Sequence, residues 1–332
     1  MRKPTRSREV GRGEKVLPGV WRLRLPLPWP GVPHCNAWAL ASGDGVVLVD
    51  TGMHQPGSMA HFERALDQVG LRAEHVRRIV CTHAHVDHCG QAPPIAERAG
   101  CEVWLHPNHA HHTAGLDDPE QALARRAEVA LQSGVPEAPL RRWMEQRRSQ
   151  GTGQAGELRV DHELVDGVTV TTDLGEWRVV ETPGHAPSHV CLHLPEQRLL
   201  VSGDHVLGRV SLYFDHGYTP DPVGEFLDSL DRVERLDARL CLAGHGRPFT
   251  DVPGHIEANR ALVAERLAAV QTALADGRGT AYEVARAVYR EQFTDLTASW
   301  LLSKTLCWLT HLERRGEAEH DDGSPEVWTA AA

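Results

Sequence analysis

Thr82-His83-Ala84-His85-Val86-Asp87-His88 decides how this chain of 332 residues is read. The segment follows Arg78–Thr82, an apolar run with the composition of a buried strand. On an extended chain His83 and His85, two residues apart, point the same way. Asp87 and His88 come just after, where the chain turns and can face a second point. Neutral imidazole and carboxylate are ligands that a borderline cation such as zinc accepts. Four such groups beside a buried strand would each cost kcal/mol as unpaired polar side chains, so a ligand role fits better than an exposed His-rich loop.

Three later positions extend the pattern. His185 lies in Thr182-Pro183-Gly184-His185, Asp204 in Ser202-Gly203-Asp204, and His245 in Ala243-Gly244-His245-Gly246. Each follows a strand-like run and has a glycine beside it, which permits a tight backbone path. Singly, each reads as a capping or hydrogen-bonding group. Together they place ligand types at strand ends along one edge of a β-sandwich, which is what a dinuclear metal site needs.

Here the sequence resembles the metallo-β-lactamase superfamily, whose H-x-H-x-D-H signature is met by His83, His85, Asp87 and His88. The resemblance runs from about Val16 to His255, and its downstream motifs occur in order. It implies an α/β (α+β) fold, a four-layer αβ/βα sandwich with two divalent metal ions at one edge, zinc first, iron or manganese as alternatives. It also implies that His83, His85 and His185 hold the first metal, that Asp87, His88 and His245 hold the second, and that Asp204 bridges both. Asp50, in Asp50-Thr51-Gly52, matches the family's strand-end aspartate that braces the metal loop from behind, and His189 is a second candidate for such bracing. Two adjacent cations lower the pKa of a shared water toward neutrality, so the implied nucleophile is a metal-bridging hydroxide. Asp87 is then both ligand and proton acceptor. An aspartate at position 204, where true zinc β-lactamases of one type carry cysteine, points to the broader hydrolase branch of thioesterases, lactonases and nucleases.

Around this centre, short strands are expected at Val20–Leu25, Ala37–Ala41, Val46–Asp50, Cys101–His106, Val168–Thr172, Trp177–Glu181, His189–Leu194, Leu199–Ser202 and Arg239–Ala243. Helices are expected from Ser58 to Val69, Ile95 to Ala99 and Val223 to Arg235. Residues 1–15 read as a loose arm and residues 16–255 as the hydrolase domain. That domain carries a helical insertion at about 107–161, of the lid or binding-loop kind. Residues 256–332, with helices at Ile256–Ala275, Thr280–Tyr289 and Ala298–Arg315 and a closing hairpin, read as a small winged-helix-like unit that packs or forms a homodimer. His106, His109, His111 and His112, at the entrance to the insertion, read as solvated surface, with substrate contact as the alternative. Arg209, Tyr213 and Tyr218, after Asp204, are candidate cleft residues. Cys81 and Cys89, which flank the metal loop, read as small core residues rather than ligands.

Composition narrows the function. There are 35 Lys+Arg against 45 Asp+Glu, a net charge of -10, which argues against a nucleic-acid partner. No apolar run is long enough for a membrane span, and no signal peptide is recognisable. The seven cysteines form no C-x-x-C pair and suit a reduced, cytoplasmic setting. The expected function is a dinuclear metal-dependent hydrolase of a small-molecule thioester, ester or lactone. The alternative is a single-strand endoribonuclease of the lactamase-β-like branch. A di-iron redox module is a third reading, disfavoured because the tail is too short for a flavodoxin-like domain.

Overall fold

The computed structural model describes residues 10–331 apart from 30, 210 and 278. Seven strands form the first sheet in chain order: β1 (Arg12–Leu17), β2 (Val20–Trp29), β3 (Val32–Ser42), β4 (Gly45–Val49), β5 (Val76–Val80), β6 (Glu102–Leu105) and β7 (His162–Glu163). The second sheet has the order β12-β11-β10-β9-β8. Its strands are β8 (Thr169–Thr172), β9 (Gly175–Glu181), β10 (Val190–Leu194), β11 (Leu199–Gly203) and β12 (Leu240–Ala243). The antiparallel meander β1–β4 turns parallel from β4 to β7, because helical crossovers connect those strands.

Helices cover both outer faces. On the first half lie α1 (Ser58–Asp67), α2 (Val86–Cys89) and α3 (Ala92–Ala99), followed by α4 (Ala110–Asp117), α5 (Pro119–Gln132) and α6 (Glu137–Ser149) of the insertion. On the second half lie α7 (Pro222–Glu234), α8 (Val252–Ala275), α9 (Ala281–Tyr289) and α10 (Ala298–Arg314), and then the hairpin of β13 (Ala318–His320) and β14 (Trp328–Ala330).

Three apolar layers separate these four. Leu23, Leu48, Phe62, Leu66, Ile79 and Ile95 fill the space between the first sheet and its helices. Trp38, Leu40, Val49, Trp177, Leu192 and Val201 lie between the sheets. Leu200, Phe214, Phe226, Ile256, Val270 and Trp308 join the second sheet to its helices. Burying such side chains contributes on the order of 1.5–3 kcal/mol each. The last layer is continuous from Cys191 to Trp328, so the C-terminal helices and hairpin share a core with the second sheet. Cys81 and Cys89 are fully buried in the first layer, as small core residues.

One expectation needs correcting. The arm expected over residues 1–15 is a strand from Arg12, paired with β2 from Arg12↔Arg24 to Leu17↔Val20. Its charged, mostly exposed side chains carry no apolar alternation, and it is held by backbone pairing at a sheet edge. Residues 1–9 of that expected arm lie outside the described residues.

The two sheets are tied together at one end. Asn36 on β3 donates from Nδ2 to the Ala243 carbonyl at 2.8 Å and from its backbone N–H to Gly244 O at 2.7 Å. Trp38 Nε1 donates to the same Ala243 carbonyl at 3.2 Å. From the other sheet, the Val190 N–H donates to Thr82 O at 2.8 Å. All these bonds converge on the end of the sandwich where the histidines gather.

Candidate metal centre

Strand β5 ends at Val80, and the chain bends through residues 82–84, placing His83 and His85, before the single turn of α2 carries Asp87 and His88. His85 Nδ1 lies 3.0 Å from His83 Nε2 and 3.0 Å from His185 Nε2. Beside this triad, His245 Nε2 is 3.3 Å from Asp87 Oδ2 and 3.1 Å from Asp204 Oδ2, and His88 Nε2 is 3.4 Å from Asp204 Oδ1. Groups able to hold an ion are therefore His83, His85 and His185; Asp87, His88 and His245; His83, His88 and Asp204; and, beside these, His85, His111 and Asp215.

The outer nitrogen of each imidazole determines its tautomer. His88 Nδ1–H donates to Asp50 Oδ2 at 2.8 Å, His185 Nδ1–H to the Tyr213 carbonyl at 3.0 Å, and His245 Nδ1–H to the His34 carbonyl at 2.9 Å. His85 Nε2–H donates to Asp215 Oδ2 at 2.8 Å. Thr82 Oγ1 donates to Asp50 and so accepts from His83 Nδ1–H at 3.0 Å. With all five outer nitrogens engaged, five inner nitrogens and two carboxylates face one another in a largely buried pocket. The buried atoms His88 Nε2 and Asp204 Oδ1 have no hydrogen-bond partner. Lone pairs 3 Å apart repel unless a cation lies between them, and this donor set fits divalent ions.

The proton affinities carry the same sign. Burial opposes charge on His245, yet Asp204 and Asp87 raise it to about 10. His88 is likewise raised against burial by Asp204 and Asp87. Burial also opposes charge on Asp204, but His245 and His88 hold it well below the carboxylate range. Away from the carboxylates, burial and the charge of His85 lower His185 to about 4.

Asp50 and His189 sit behind the cluster. Asp50, 1% exposed, accepts the Thr82 N–H at 2.8 Å besides the His88 proton, so one carboxylate fixes both the strand end and a ring. His189 receives the Asp204 N–H on Nε2 at 3.0 Å, and its Nδ1 lies 2.8 Å from Thr182 Oγ1. The glycines of the motifs admit close approaches. At Gly203 (φ 47) a Cβ would lie 2.6 Å from His189 Nε2, and at Gly184 (φ 119) 2.5 Å from the Phe226 backbone.

The candidate cleft residues divide. The Tyr213 ring is 5.8 Å from the rings of both His85 and His185. Tyr218, half exposed, has its ring 5.7 Å from that of His111. Arg209 is exposed on the bend at Gly208 and, among the described residues, makes no hydrogen bond or ion pair with the cluster. The solvated-surface reading fails for three of the insertion histidines. His106 and His111 are buried and His112 is half-buried, because α4 folds back over the site rather than outward. Two neighbours of the centre have roles that the sequence does not signal: Asp215, bonded to His85, and His111, whose Nδ1 is 3.0 Å from the same Asp215 Oδ2. The only cue to Asp215 is proximity in sequence to a motif, since it follows Asp204 by eleven residues. Further out, Arg126 on α5 and Arg147 on α6 act electrostatically on each other and on Tyr213. Neither has a carboxylate partner among the described residues.

Buried neutral histidines outside the cluster predict an acid-labile fold. Burial pushes His205 down to about 3, and burial with the charge of His85 pushes His112 down to about 4. The unfolded chain therefore binds more protons than the folded one below about 6.5, so stability rises with pH up to that value and is lost as pH falls toward 3. Each such group contributes up to about 1.4 kcal/mol per pH unit in that window. In acid titrations followed by circular dichroism, a His205→Leu variant is expected to show a shallower loss than the parent; an unchanged slope would remove His205 from the account.

Comparison with known proteins agrees with this geometry. The family model of the metallo-beta-lactamase superfamily matches residues 30–245. A probable metallo-hydrolase of Bacillus subtilis, YqjP, is 25% identical over 291 residues, covering 81% of this chain and 85% of that protein. The beta-lactamase-like protein 2 homolog of Caenorhabditis elegans is 24% identical over 234 residues, 70% of this chain and 63% of its own length. The lactamase-like protein nscB of Aspergillus fumigatus is 25% identical over 233 residues. The match spans only 53% of that protein's length. A metallo-beta-lactamase family protein from Thermus thermophilus superposes with a TM-score of 0.81 at 29% identity, covering 95% of this chain and 99% of that one. A beta-lactamase domain protein from Burkholderia ambifaria gives 0.84 at 28% identity, covering 96% and 94%. With the family model spanning most of the sandwich and the His/Asp cluster formed at its edge, this chain belongs to the metallo-beta-lactamase superfamily.

Proposed function

We propose that the protein is a dinuclear metal-dependent hydrolase of a small-molecule thioester, ester or lactone. The observation that carries this reading is the arrangement of lone pairs: five imidazoles with outer protons engaged by the protein, turned inward on two carboxylates. His83, His85 and His185 would hold one ion, Asp87, His88 and His245 the other, and Asp204 would lie between them. Such ions, zinc first and iron or manganese next, supply an activated water and a Lewis acid for the scissile carbonyl.

The chain's own residues do the rest. Asp87 Oδ2, beside His245 Nε2, is the carboxylate placed to take a proton during attack. Tyr213 closes one wall and the apolar layers exclude water from the rear. A net charge of -10 favours a small substrate over a polynucleotide. None of the helices among the described residues is long and apolar enough to cross a membrane.

The test is turnover by the purified, metal-loaded protein on a panel of acyl-thioesters, aryl esters and lactones, with single-stranded RNA as a further arm. Hydrolysis of at least one small substrate that chelation abolishes and added metal restores is the expected result. Cleavage of RNA alone, or no turnover on any arm, would overturn the proposal.

A further inference from the structure

We propose that Asp215 is the positioning residue for His85, and that His111 anchors it to the helical insertion. The inference rests on the reading of His85 as a metal ligand. Four segments distant in sequence meet here: the metal loop (Ala84, His85), the turn before β10 (Ser188), the start of α4 (His111) and the loop beyond β11 (Asp215). Ser188 Oγ accepts the Ala84 N–H at 3.0 Å and lies 2.8 Å from His111 Nε2. His111 Nδ1 and His85 Nε2 lie 3.0 and 2.8 Å from the same atom, Asp215 Oδ2.

Every proton in this chain has one place. A carboxylate only accepts, so both His111 Nδ1 and His85 Nε2 carry protons and donate. Neutral His111 then has a lone pair on Nε2, and the Ser188 hydroxyl supplies the hydrogen that fills it. With Nε2 protonated, His85 has its lone pair on Nδ1, the atom that faces His83 and His185. Asp215 thus selects the tautomer and ring angle that a metal requires, and increases the basicity of Nδ1 through the ring. Because His111 belongs to α4, a displacement of the insertion reaches His85 through two hydrogen bonds. Asp50 does the corresponding work for His88 from the opposite side, so each half of the centre has its own carboxylate brace.

Two measurements test this on the full chain. The first needs no metal: side-chain nitrogen–proton correlation spectra of histidine-labelled protein, with His85 assigned by its loss in His85→Gln. The parent is expected to show His85 as the Nε2–H tautomer alone, and Asp215→Asn a mixture of tautomers, since a neutral amide holds the Nε2–H less strongly than a carboxylate and can turn its NH2 toward a ring. The second is competition for zinc against a chromogenic chelator. One of two ions is expected to bind about 10–100-fold more weakly in Asp215→Asn, with a smaller loss in His111→Gln and the other ion unchanged. If Asp215→Asn does not fold, His111→Gln carries both readouts. A pure Nε2–H tautomer in both variants together with parental zinc affinity would overturn the proposal. A parent chain that binds no zinc yet shows the tautomer change would instead sink the dinuclear reading and leave Asp215 as the brace of His85.

Discussion

A His83→Ala, His85→Ala double variant is expected to lose hydrolytic turnover by about 10³-fold or more, the scale of removing a preorganised stabiliser of developing charge. Both nitrogens removed lie at the same corner as His185 Nε2, so only one of three imidazoles is left there. The side chains of Asp87, His88, His245 and Asp204 all remain, with His88 held by Asp50 and His245 by the His34 carbonyl. Metal content measured by plasma emission spectrometry is therefore expected to fall from two ions per chain to one, with the far-ultraviolet dichroism unchanged. Two ions retained, or turnover within a few-fold of the parent, would show that these imidazoles are not the ligands the chemistry needs.

The second large effect falls on stability. Gly184→Ala is expected to destabilise the fold by about 3 kcal/mol or more, because it combines a strained backbone with a buried collision. Gly184 has φ 119, and an added Cβ would lie 2.5 Å from both the N and Cα of Phe226, atoms of the α7 backbone that cannot rotate away. Relief requires moving α7, which also anchors this turn through the Ser229 hydroxyl on the Pro183 carbonyl at 2.8 Å. His185 moves with the turn, so zinc affinity falls together with the urea midpoint. Gly57→Ala is the control: its φ is 85, but no atom lies within 4 Å of the added Cβ. Backbone strain alone costs about 1 kcal/mol there. Equal losses in the two variants would mean that the contact with Phe226 carries no weight.

The gathering of the cluster's side chains was largely legible because they follow strand ends where apolar runs stop abruptly, three of them (His185, Asp204 and His245) next to a glycine. Each of His83, His85, Asp87, His88, His185, Asp204 and His245 arrives at the edge where the sheets meet. The long tail helices were legible for a different reason. Thr280 caps α9 with Glu283 reciprocating, and this local signal needs no tertiary context. What escaped has no local signature. β1 is an edge strand with exposed charged residues, recognisable only from its partner β2. Asp215 and His111 stand 130 and 26 residues from His85, and nothing in either segment indicates that they meet. His111 and His112 looked solvated because a run of polar residues normally is; burial came from the insertion folding inward.

The clamp of Asn36 and Trp38 on the Ala243 carbonyl shows where the sandwich is fastened without help. The cluster straddles the same seam, with His83, His85, Asp87 and His88 from one half and His185, Asp204 and His245 from the other. Ions seated there would act as rivets through the joint, and their binding energy would add directly to cohesion of the halves. Metal supply would then govern how long each copy of the chain survives proteolysis as well as how fast it works.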